Sequence, residues 1–435
     1  MPRQRRVLLL SSRFTPFDTP AARRALGLYR HLPDHGWEPW VLTADPHRIW
    51  NPYPHRPSDR SAYDPSRVRR TGFGLAWHWA SRLLYRGTRA AGRALAAPTL
   101  LRGAELFRFP DAELGWLPYA AAEALRLARE RPFDAIVSTS PPPTAHLAAR
   151  AIQALLGGRP RWIADYRDPW SQDETRVVSD PPLGLDALLE RRVVAGADAI
   201  SAVSPLYADK LSRLHGRDAV AVIPNGYDPD DFAGLAPRPR ADRLVITHAG
   251  TNYPGFQDPL PVLRAVAALI REGEVDPQRI AIRFIGWQFE VDALRSQVAA
   301  LGLEAQARIE PRRPRHELLP ALAESSVLWA LGFTEGRDPG TVPTKVYEYM
   351  GCQRFVLATG AGPDSDLARV LEETGAGACV EGRDQDEMTR TIQALYRRFL
   401  GQGPEAFVLD PRRSERFTQQ NTARLMAGLL HGAYP

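Results

Sequence analysis

The chain has 435 residues, 44% of them hydrophobic and 24% charged, and a formal net charge of +6. A single hydrophobic core rarely grows to this length, so the composition predicts two domains of an ordinary globular protein. The positive charge is compatible with an anionic substrate or an anionic membrane surface. The sequence has no zinc-finger spacing, Lys/Arg tract or RNA-module motif, so we expect no nucleic-acid partner.

The first apolar run, residues 7–10, is too short for a signal peptide and is better interpreted as a first buried strand. No apolar run approaches the ~20 residues needed to span a bilayer. The two cysteines, Cys352 and Cys379, give neither a disulfide framework nor a metal-site spacing, and they suit a reducing compartment. These features predict a cytoplasmic protein.

Short apolar runs alternate with helical patterns through both halves of the chain. This alternation predicts the α/β class, with parallel sheets that are covered by helices on both faces. The predicted helices include residues 20–32, 144–156, 259–271 and 291–300. The predicted strands are residues 7–10, 40–43, 135–138, 161–165, 199–203 and 221–223 in the first half, and 244–248, 280–285, 308–309, 327–331, 355–359 and 378–380 in the second.

The Pro/Arg-rich segment 235–243 has the composition of a loop and indicates a division near the middle of the chain. We predict an N-terminal Rossmann-like domain over 1–222 and a C-terminal one over 223–415. A helical segment over 416–435 is long enough to pack back on the first domain. Doubly wound sheets bind ligands beyond the carboxyl ends of their strands, so the chemistry is expected in the strand-end loops.

Residues 340–351, GTVPTKVYEYMG, are the most informative segment. They contain Lys345, which with Lys210 is one of only two lysines among 56 basic residues, and a compact ammonium suits phosphate. Thr344 is a predicted helix N-cap, which puts Lys345 in the first turn, where free amides and the helix dipole also attract phosphate. Glu348 follows one turn later on the same side, placed to accept from a ribose hydroxyl. The segment therefore predicts nucleotide binding; the alternative is a capped surface helix with a Lys–Glu pair.

A second strand-end loop begins at Gly250, followed by Thr251 and Asn252, and ends at Gly255. Glycines after a strand permit a tight turn, and the backbone of such a turn can approach a phosphate. The alternative is a plain strand-to-helix turn.

In the first half, Asp165, Arg167 and Asp168 follow a predicted strand. Two carboxylates flanking an arginine could orient acceptor hydroxyls, and Asp165 could take a proton. Tyr166 or Trp170 could offer an aromatic face to a sugar. The alternative is an internal ion pair at the end of the strand.

The segment from Phe73 to Arg93 combines basic and aromatic residues. This is the composition of an interfacial membrane element, and cations near anionic lipid gain about 1 kcal/mol each. The segment therefore predicts a peripheral contact with an anionic membrane; the alternative is an ordinary solvated helix face. Its arginines at helical spacing are Arg82, Arg86, Arg89 and Arg93, preceded by Phe73, Trp77 and Trp79.

Five segments occur in order: STSPPPTAH (138–146), DYRDPW (165–170), VIPNGYD (222–228), HAGTNYPG (248–255) and PTKVYEYMGCQRFVLAT (343–359). With the opening strand and helix they resemble glycosyltransferase family 4, over nearly the whole chain apart from residues 45–110. The resemblance implies the GT-B fold, in which two Rossmann-like domains face a cleft, and retaining transfer of a sugar from a nucleotide donor. It also implies that no cofactor and no active-site metal is needed, with the donor against the C-terminal domain and the acceptor against the N-terminal one.

Individual residues match the family only in part. Glu348 matches the second of two glutamates eight positions apart, the one that usually holds the ribose. The first glutamate falls on Gly340, and Glu335 or Asp338 in the same loop could substitute for it.

The diphosphate-binding pair of many relatives is also missing. Thr251 and Gln257 stand where those relatives carry an arginine and a lysine. Lys345 is the candidate replacement, and its candidate helpers are Arg337, Arg312 and Arg313. In the N-terminal half, Ser140 replaces a common histidine and His146 follows six residues later.

We predict a glycosyltransferase that moves a sugar from a nucleotide sugar to a glycan or lipid-linked acceptor in cell-surface polysaccharide or glycolipid synthesis. One alternative is a nucleotide-sugar epimerase of the same fold; the other is a non-catalytic relative that acts as a partner subunit. The candidate catalytic residues are Asp165 and His146. The candidate donor-binding residues are Lys345, Glu348, Thr344, Gly250, Thr251 and Asn252, and the acceptor-side ones are Arg167, Asp168 and Ser140.

Overall fold

A computed structural model of the protein describes residues 4–17, 19–47, 63–74, 79, 83–84, 86–87, 109–174, 184–333, 338–382 and 384–433. The chain divides into two compact units. One comprises the chain as far as Asn225 together with the segment from Gln419 onward, and the other comprises Gly226–Thr418. The division thus falls after residue 225, against a predicted 222, and the returning segment starts at 419 where 416 was predicted.

The N-terminal unit contains a seven-stranded, all-parallel sheet in the order β3-β2-β1-β4-β5-β6-β7. Its strands are β1 (Arg5–Leu10), β2 (Trp37–Ala44), β3 (Val68–Thr71), β4 (Ala135–Ser140), β5 (Arg161–Tyr166), β6 (Ala199–Ala202) and β7 (Ala221–Val222). Its helices are α1 (Pro20–His31), α2 (Leu117–Glu130), α3 (Thr144–Leu155), α4 (Leu185–Val194), α5 (Pro205–His215) and α12 (Gln419–His431).

The C-terminal unit contains a six-stranded parallel sheet in the order β10-β9-β8-β11-β12-β13. Its strands are β8 (Leu244–Ala249), β9 (Ile280–Ile285), β10 (Ala307–Glu310), β11 (Val327–Leu331), β12 (Phe355–Thr359) and β13 (Gly377–Val380). Its helices are α6 (Leu260–Arg271), α7 (Val291–Ala300), α8 (Arg315–Ala323), α9 (Thr344–Gly351), α10 (Asp366–Thr374) and α11 (Gln385–Gln402).

Both sheets carry a hydrophobic core on each face, which explains their continuous apolar strands. In β1, Leu8 and Leu10 enter one core, whereas Val7 and Leu9 enter the core on the opposite face. The predicted class, two doubly wound Rossmann-like units, is confirmed. Strand β3 was not predicted, because its four residues, VRRT, include two arginines and form no apolar run.

Candidate functional site

Lys345 lies in the first turn of α9, at the carboxyl edge of the C-terminal sheet. The helix is fixed against the sheet by the hydroxyl of Tyr349, which accepts from the backbone N–H of Ala249 at 3.0 Å. Val346, Tyr349 and Met350 are buried, as the sequence predicted. Lys345 itself is half-buried, and the burial of its ammonium lowers its pKa to about 8.

His248, the next-to-last residue of β8, is a hydrogen-bond partner of that ammonium. Its Nδ1 bonds the backbone carbonyl of Trp329 at 3.1 Å, so Nδ1 carries the proton and Nε2 keeps its lone pair. Nε2 lies 3.5 Å from Nζ of Lys345. Burial first, and then the charge of Lys345, hold the pKa of His248 well below its usual value. A neutral imidazole therefore accepts from the ammonium and fixes its position.

Gly250 gives the ammonium room. A Cβ at this position would lie 3.1 Å from Nζ of Lys345, and the backbone φ of +118° is one that glycine adopts readily. The turn after β8 and the first turn of α9 thus meet closely enough that a side chain between them would displace the lysine.

Thr344 is the first residue of α9 and not its N-cap, so that prediction is wrong. Pro343 occupies the cap position, with φ −57° and ψ 131°, and no side chain caps the helix. The extended ψ of Pro343 lets the helix begin directly after it. In the described part of the chain, the backbone N–H groups of Thr344 and Lys345 form no hydrogen bond, so both amides remain available to an anion.

Glu348 is half-buried and is paired with Arg315 of α8. Its Oε1 accepts from Nη1 of Arg315 at 2.5 Å, and Nη2 of Arg315 bonds Asp231 at 3.0 Å. The guanidinium is thus shared by two carboxylates, and this sharing fixes the side chain of Glu348.

The amide side chains of Asn252 and Gln257 hold the turn after β8 in place by hydrogen bonds. Asn252 is buried; its Nδ2 donates to the carbonyl of Phe289 at 2.8 Å, and its Oδ1 accepts from two backbone N–H groups of the same loop. Gln257 donates to the carbonyl of Leu331 at 2.8 Å. The side chain of Asn252, which was predicted to bind the donor, is therefore used within the protein, whereas that of Thr251 is half-buried and bonded to Gln288 at 3.3 Å.

The other residues of this unit that were predicted to replace the missing glutamate or to assist Lys345 differ in exposure and in pairing. Arg313 pairs with Glu310, whereas Arg312 is exposed. Asp338 is buried and accepts from the hydroxyl of Thr341, so it holds its own loop together. Glu335 and Arg337 lie outside the described residues.

Asp165 is fully buried in the N-terminal unit. Arg24 donates to both carboxylate oxygens, at 2.7 and 2.8 Å, and Ser201 donates to Oδ1 at 2.8 Å. Burial by itself raises the pKa of Asp165, but the charge and hydrogen bonds of Arg24 outweigh burial and keep the pKa below its usual value. The predicted catalytic role is therefore not supported, because a carboxylate enclosed in this way meets no substrate; the internal ion pair is what the structure shows.

His146 is also fully buried, and its predicted catalytic role is not supported either. Its ring packs 4.6 Å from that of Tyr166, and Nδ1 lies 2.7 Å from the hydroxyl of Ser138. Burial lowers its pKa to about 4, so the ring stays neutral. Tyr166 and Trp170, considered as sugar-facing aromatics, are buried as well.

Arg167, Asp168 and Ser140 do come together where β4 and β5 end. The backbone N–H of Arg167 donates to the carbonyl of Ser140 at 2.8 Å, and its guanidinium donates to the carbonyl of Pro141. Burial lowers the pKa of Arg167 to about 10, against the opposing charge of Asp168. The hydroxyl of Ser140 is buried and has no partner among the described residues, whereas Asp168 is half-buried.

Two further groups, for which no chemical role was predicted from the sequence, lie beside these residues. Arg13, just beyond β1, donates to Glu113 at 2.9 Å. Asp111 accepts from the backbone N–H and the hydroxyl of Thr144 at 2.7 and 2.8 Å, and so takes the role of an N-cap for α3. Burial, and then the charge of Glu113, raise the pKa of Asp111 to about 6. The position of Arg13 in the loop that follows the buried strand β1 is the sequence feature that could have identified it.

The predicted membrane segment is described only in part. Phe73 is buried in the N-terminal core, which corrects its assignment to a membrane contact. Trp79, Leu83 and Leu84 expose 61%, 74% and 49% of their surface. Trp77, Arg82, Arg89 and Arg93 lie outside the described residues. Within the part of the chain that the structure covers, no helix is both long and apolar enough to cross a bilayer.

Residues 21–231 match the model of Glycosyltransferase Family 4. No curated protein matches the sequence. A glycosyltransferase from Rickettsia africae has a TM-score of 0.62 at 11% identity, over 99% of this chain and 98% of its own. An α,α-trehalose-phosphate synthase (UDP-forming) from Burkholderia vietnamiensis has a TM-score of 0.61 at 16% identity, over 99% of this chain and 100% of its own. The lipopolysaccharide outer core galactosyltransferase WaaB has a TM-score of 0.59 at 10% identity, over 98% of this chain and 99% of its own.

These structural likenesses and the two doubly wound sheets define an α/β protein with the GT-B fold. Residues 21–231 thus match glycosyltransferase family 4, and the protein is a transferase.

Proposed function

We propose that the protein transfers a sugar from a nucleotide-sugar donor to a glycan or lipid-linked acceptor, with retention of configuration. Binding of the nucleotide-sugar donor is supported by one observation. The ammonium of Lys345 is held by His248 at 3.5 Å, beside two backbone amides at the start of α9 that have no hydrogen-bond partner in the described part of the chain. An ammonium and free helix amides together suit a diphosphate. The UDP-forming relative supports the same class of donor.

Charge develops on the diphosphate as the glycosidic bond breaks, so a cation fixed in advance stabilises the transition state more than the ground state. Lys345 supplies that cation in place of the absent pair at Thr251 and Gln257. Glu348, whose side chain Arg315 fixes at 2.5 Å, is assigned to a ribose hydroxyl. The hydroxyl of Thr251 and the backbone around Gly250 face the donor in this proposal.

Arg167 and Asp168 are assigned to the acceptor, whereas the hydroxyl of Ser140 is enclosed and is not. Because Asp165 and His146 are enclosed, we assign the proton of the incoming hydroxyl to an oxygen of the departing diphosphate. The bond from the sugar carbon to the diphosphate breaks, and the bond to the acceptor oxygen forms on the same face. No metal and no cofactor enters this step.

Cell-surface polysaccharide or glycolipid synthesis is the proposed setting, and the likeness to a lipopolysaccharide galactosyltransferase supports it. Exposed Trp79, Leu83 and Leu84 next to the exposed Arg86 support a peripheral contact with an anionic membrane from the cytoplasmic side.

The test is a panel of nucleotide sugars, first for thermal stabilisation and then for transfer to glycan and lipid-linked acceptors. A donor at 100 times its dissociation constant should add about 2.7 kcal/mol to stability. NMR of the product should show the donor's anomeric configuration. Inversion would contradict the proposed stereochemistry. Conversion of the donor sugar without acceptor would favour an epimerase, and binding without turnover a partner subunit.

Gly250→Ala should weaken donor binding and turnover. Its Cβ would lie 3.1 Å from Nζ of Lys345, so the ammonium must move. Gly273→Ala is the matched control, because Gly273 also has a left-handed backbone (φ +75°) but no atom within 4 Å of a Cβ. Both variants carry strain on the order of 1–3 kcal/mol, and only Gly250→Ala should raise the donor KM. Equal kinetics for the two variants would show that the contact with Lys345 is irrelevant.

A further inference from the structure

Two buried carboxylates of α4 accept hydrogen bonds from the loop that follows β5. Oδ1 of Asp186 accepts from the indole N–H of Trp170 at 3.1 Å, and Oε2 of Glu190 accepts from the backbone N–H of Ser171 at 2.9 Å. Asp186 and Glu190 stand at positions i and i+4 of the helix, so they lie on the same side of it. The two residues are only 6% and 0% exposed, so neither carboxylate meets a substrate and both hold the loop.

Glu190 stays ionised although it is enclosed. Burial by itself raises its pKa, but the contacts with His215 and Ser171 outweigh burial and keep the pKa below its usual value. Nε2 of His215, the last residue of α5, lies 3.6 Å from Oε1 of Glu190. The bond from Ser171 is therefore charge-assisted, and such bonds are stronger than those between neutral groups.

Only Pro169 separates Trp170 from Asp168, the half-buried residue that is assigned to the acceptor. The ring of Pro169 fixes its own φ and also restricts the backbone of Asp168, which precedes it. On the other side of Asp168, the backbone N–H of Arg167 donates to the carbonyl of Ser140 at 2.8 Å. Asp168 thus lies on a short, stiff segment that is fixed to β4 at one end and to α4 at the other.

We propose that Asp186 and Glu190 are positioning residues for the acceptor, which act through the loop that they hold. Without its contacts to α4 the loop must be ordered when the acceptor binds, and ordering a loop on binding lowers affinity. The proposed donor site lies in the C-terminal unit and shares no residue with this loop, so donor binding should not change. The inference rests on the proposed function, because it takes Arg167 and Asp168 as the acceptor contacts.

The test is steady-state transfer by the full chain to octyl β-D-glucoside, a sugar on an alkyl chain, with the donor that gives turnover in the nucleotide-sugar panel. Trp170→Phe keeps a buried ring but removes the N–H, so the KM for octyl glucoside should rise about five- to tenfold while the donor KM stays the same. Trp162→Phe is the matched control. Its indole is also buried, but the N–H donates to Ser138 within β4 at 2.8 Å and not to the loop.

Variants of Asp186 test the same contact from the α4 side without changing the aromatic core. Asp186→Ala should raise the KM for octyl glucoside by a similar factor, whereas Asp186→Asn keeps an oxygen acceptor and should stay near the wild-type value. The double variant Trp170→Phe/Asp186→Ala should be little worse than either single variant, because both changes remove the same bond.

Asp168→Asn separates a failure of this inference from a failure of the proposed function. An unchanged KM for octyl glucoside in Asp168→Asn would contradict the proposed acceptor site itself. A raised KM in Asp168→Asn, with unchanged values in Trp170→Phe and Asp186→Ala, would overturn only the positioning role. An equal rise in the donor KM, or the same rise in Trp162→Phe, would assign the effect to a general loss of structure and would also overturn it.

Discussion

Replacing Lys345 with alanine should lower kcat by about 10²–10³, the range found when one preorganised group that stabilises developing negative charge is removed. The ammonium is held against His248 at 3.5 Å and is the cation that the C-terminal unit presents beside the open amides of α9. Lys210→Ala is the matched control, since it removes the other lysine, which pairs with Glu174 at 2.5 Å in the N-terminal unit. Steady-state kinetics with the true donor measures both. Equal rates for wild type and Lys345→Ala would reject the donor site.

Lys345 should also determine how the activity of the enzyme changes at alkaline pH. Because the pKa of Lys345 is about 8, the free enzyme loses the ammonium as the pH rises through that value, and kcat/KM for the donor should fall. A bound diphosphate favours the charged form, so the fall in kcat should occur at higher pH. Lys345→Arg keeps its charge and should remove the alkaline fall, although its planar group fits the contact with His248 less well. An unchanged profile in Lys345→Arg would assign the fall to another group.

Breaking the Arg24–Asp165 pair should be the most destabilising single change outside the apolar core. Asp165→Asn leaves the Arg24 guanidinium buried without its counter-charge, and loss of one partner of such a pair costs about 3–5 kcal/mol. Both side chains are almost completely enclosed, at 2% and 0% exposure. Urea unfolding measures the loss. Activity per folded molecule should change far less, whereas lost activity at unchanged stability would restore Asp165 as a proton acceptor.

The ion pair also predicts a pH dependence with a definite sign. The pKa of Asp165 is lowered in the folded state, so its contribution to stability is complete above the unfolded value of about 3.9. That contribution is lost as the pH falls through the lower folded pKa. Asp165→Asn should therefore lose part of the acid dependence of unfolding. Arg126→Ala, which breaks the surface pairs with Glu123 and Glu130, should change stability and its pH dependence far less.

Much of the fold could be predicted because its signals are local. Apolar runs bounded by turn residues identify β9, β11 and β12 with the observed bounds, since a strand buried on both faces leaves a continuous apolar stretch. The same kind of signal places Lys345 in the first turn of α9. The edge strand β3 has one side in contact with a neighbour and no apolar run, so its pattern carried no signal.

The partners of the charged residues could not be predicted in this way. Asp165 meets Arg24 across 141 residues, because α1 and β5 contribute to the same core, and no local pattern indicates that contact. His248 and Lys345 are 97 residues apart and meet because the sheet order places β8 next to β11, which precedes α9. The sequence by itself determined where strands and helices begin and which residue types lie at the strand ends. Only the tertiary structure decided which of those residues are enclosed and which remain open to a ligand, because burial and ion pairing depend on contacts between distant segments.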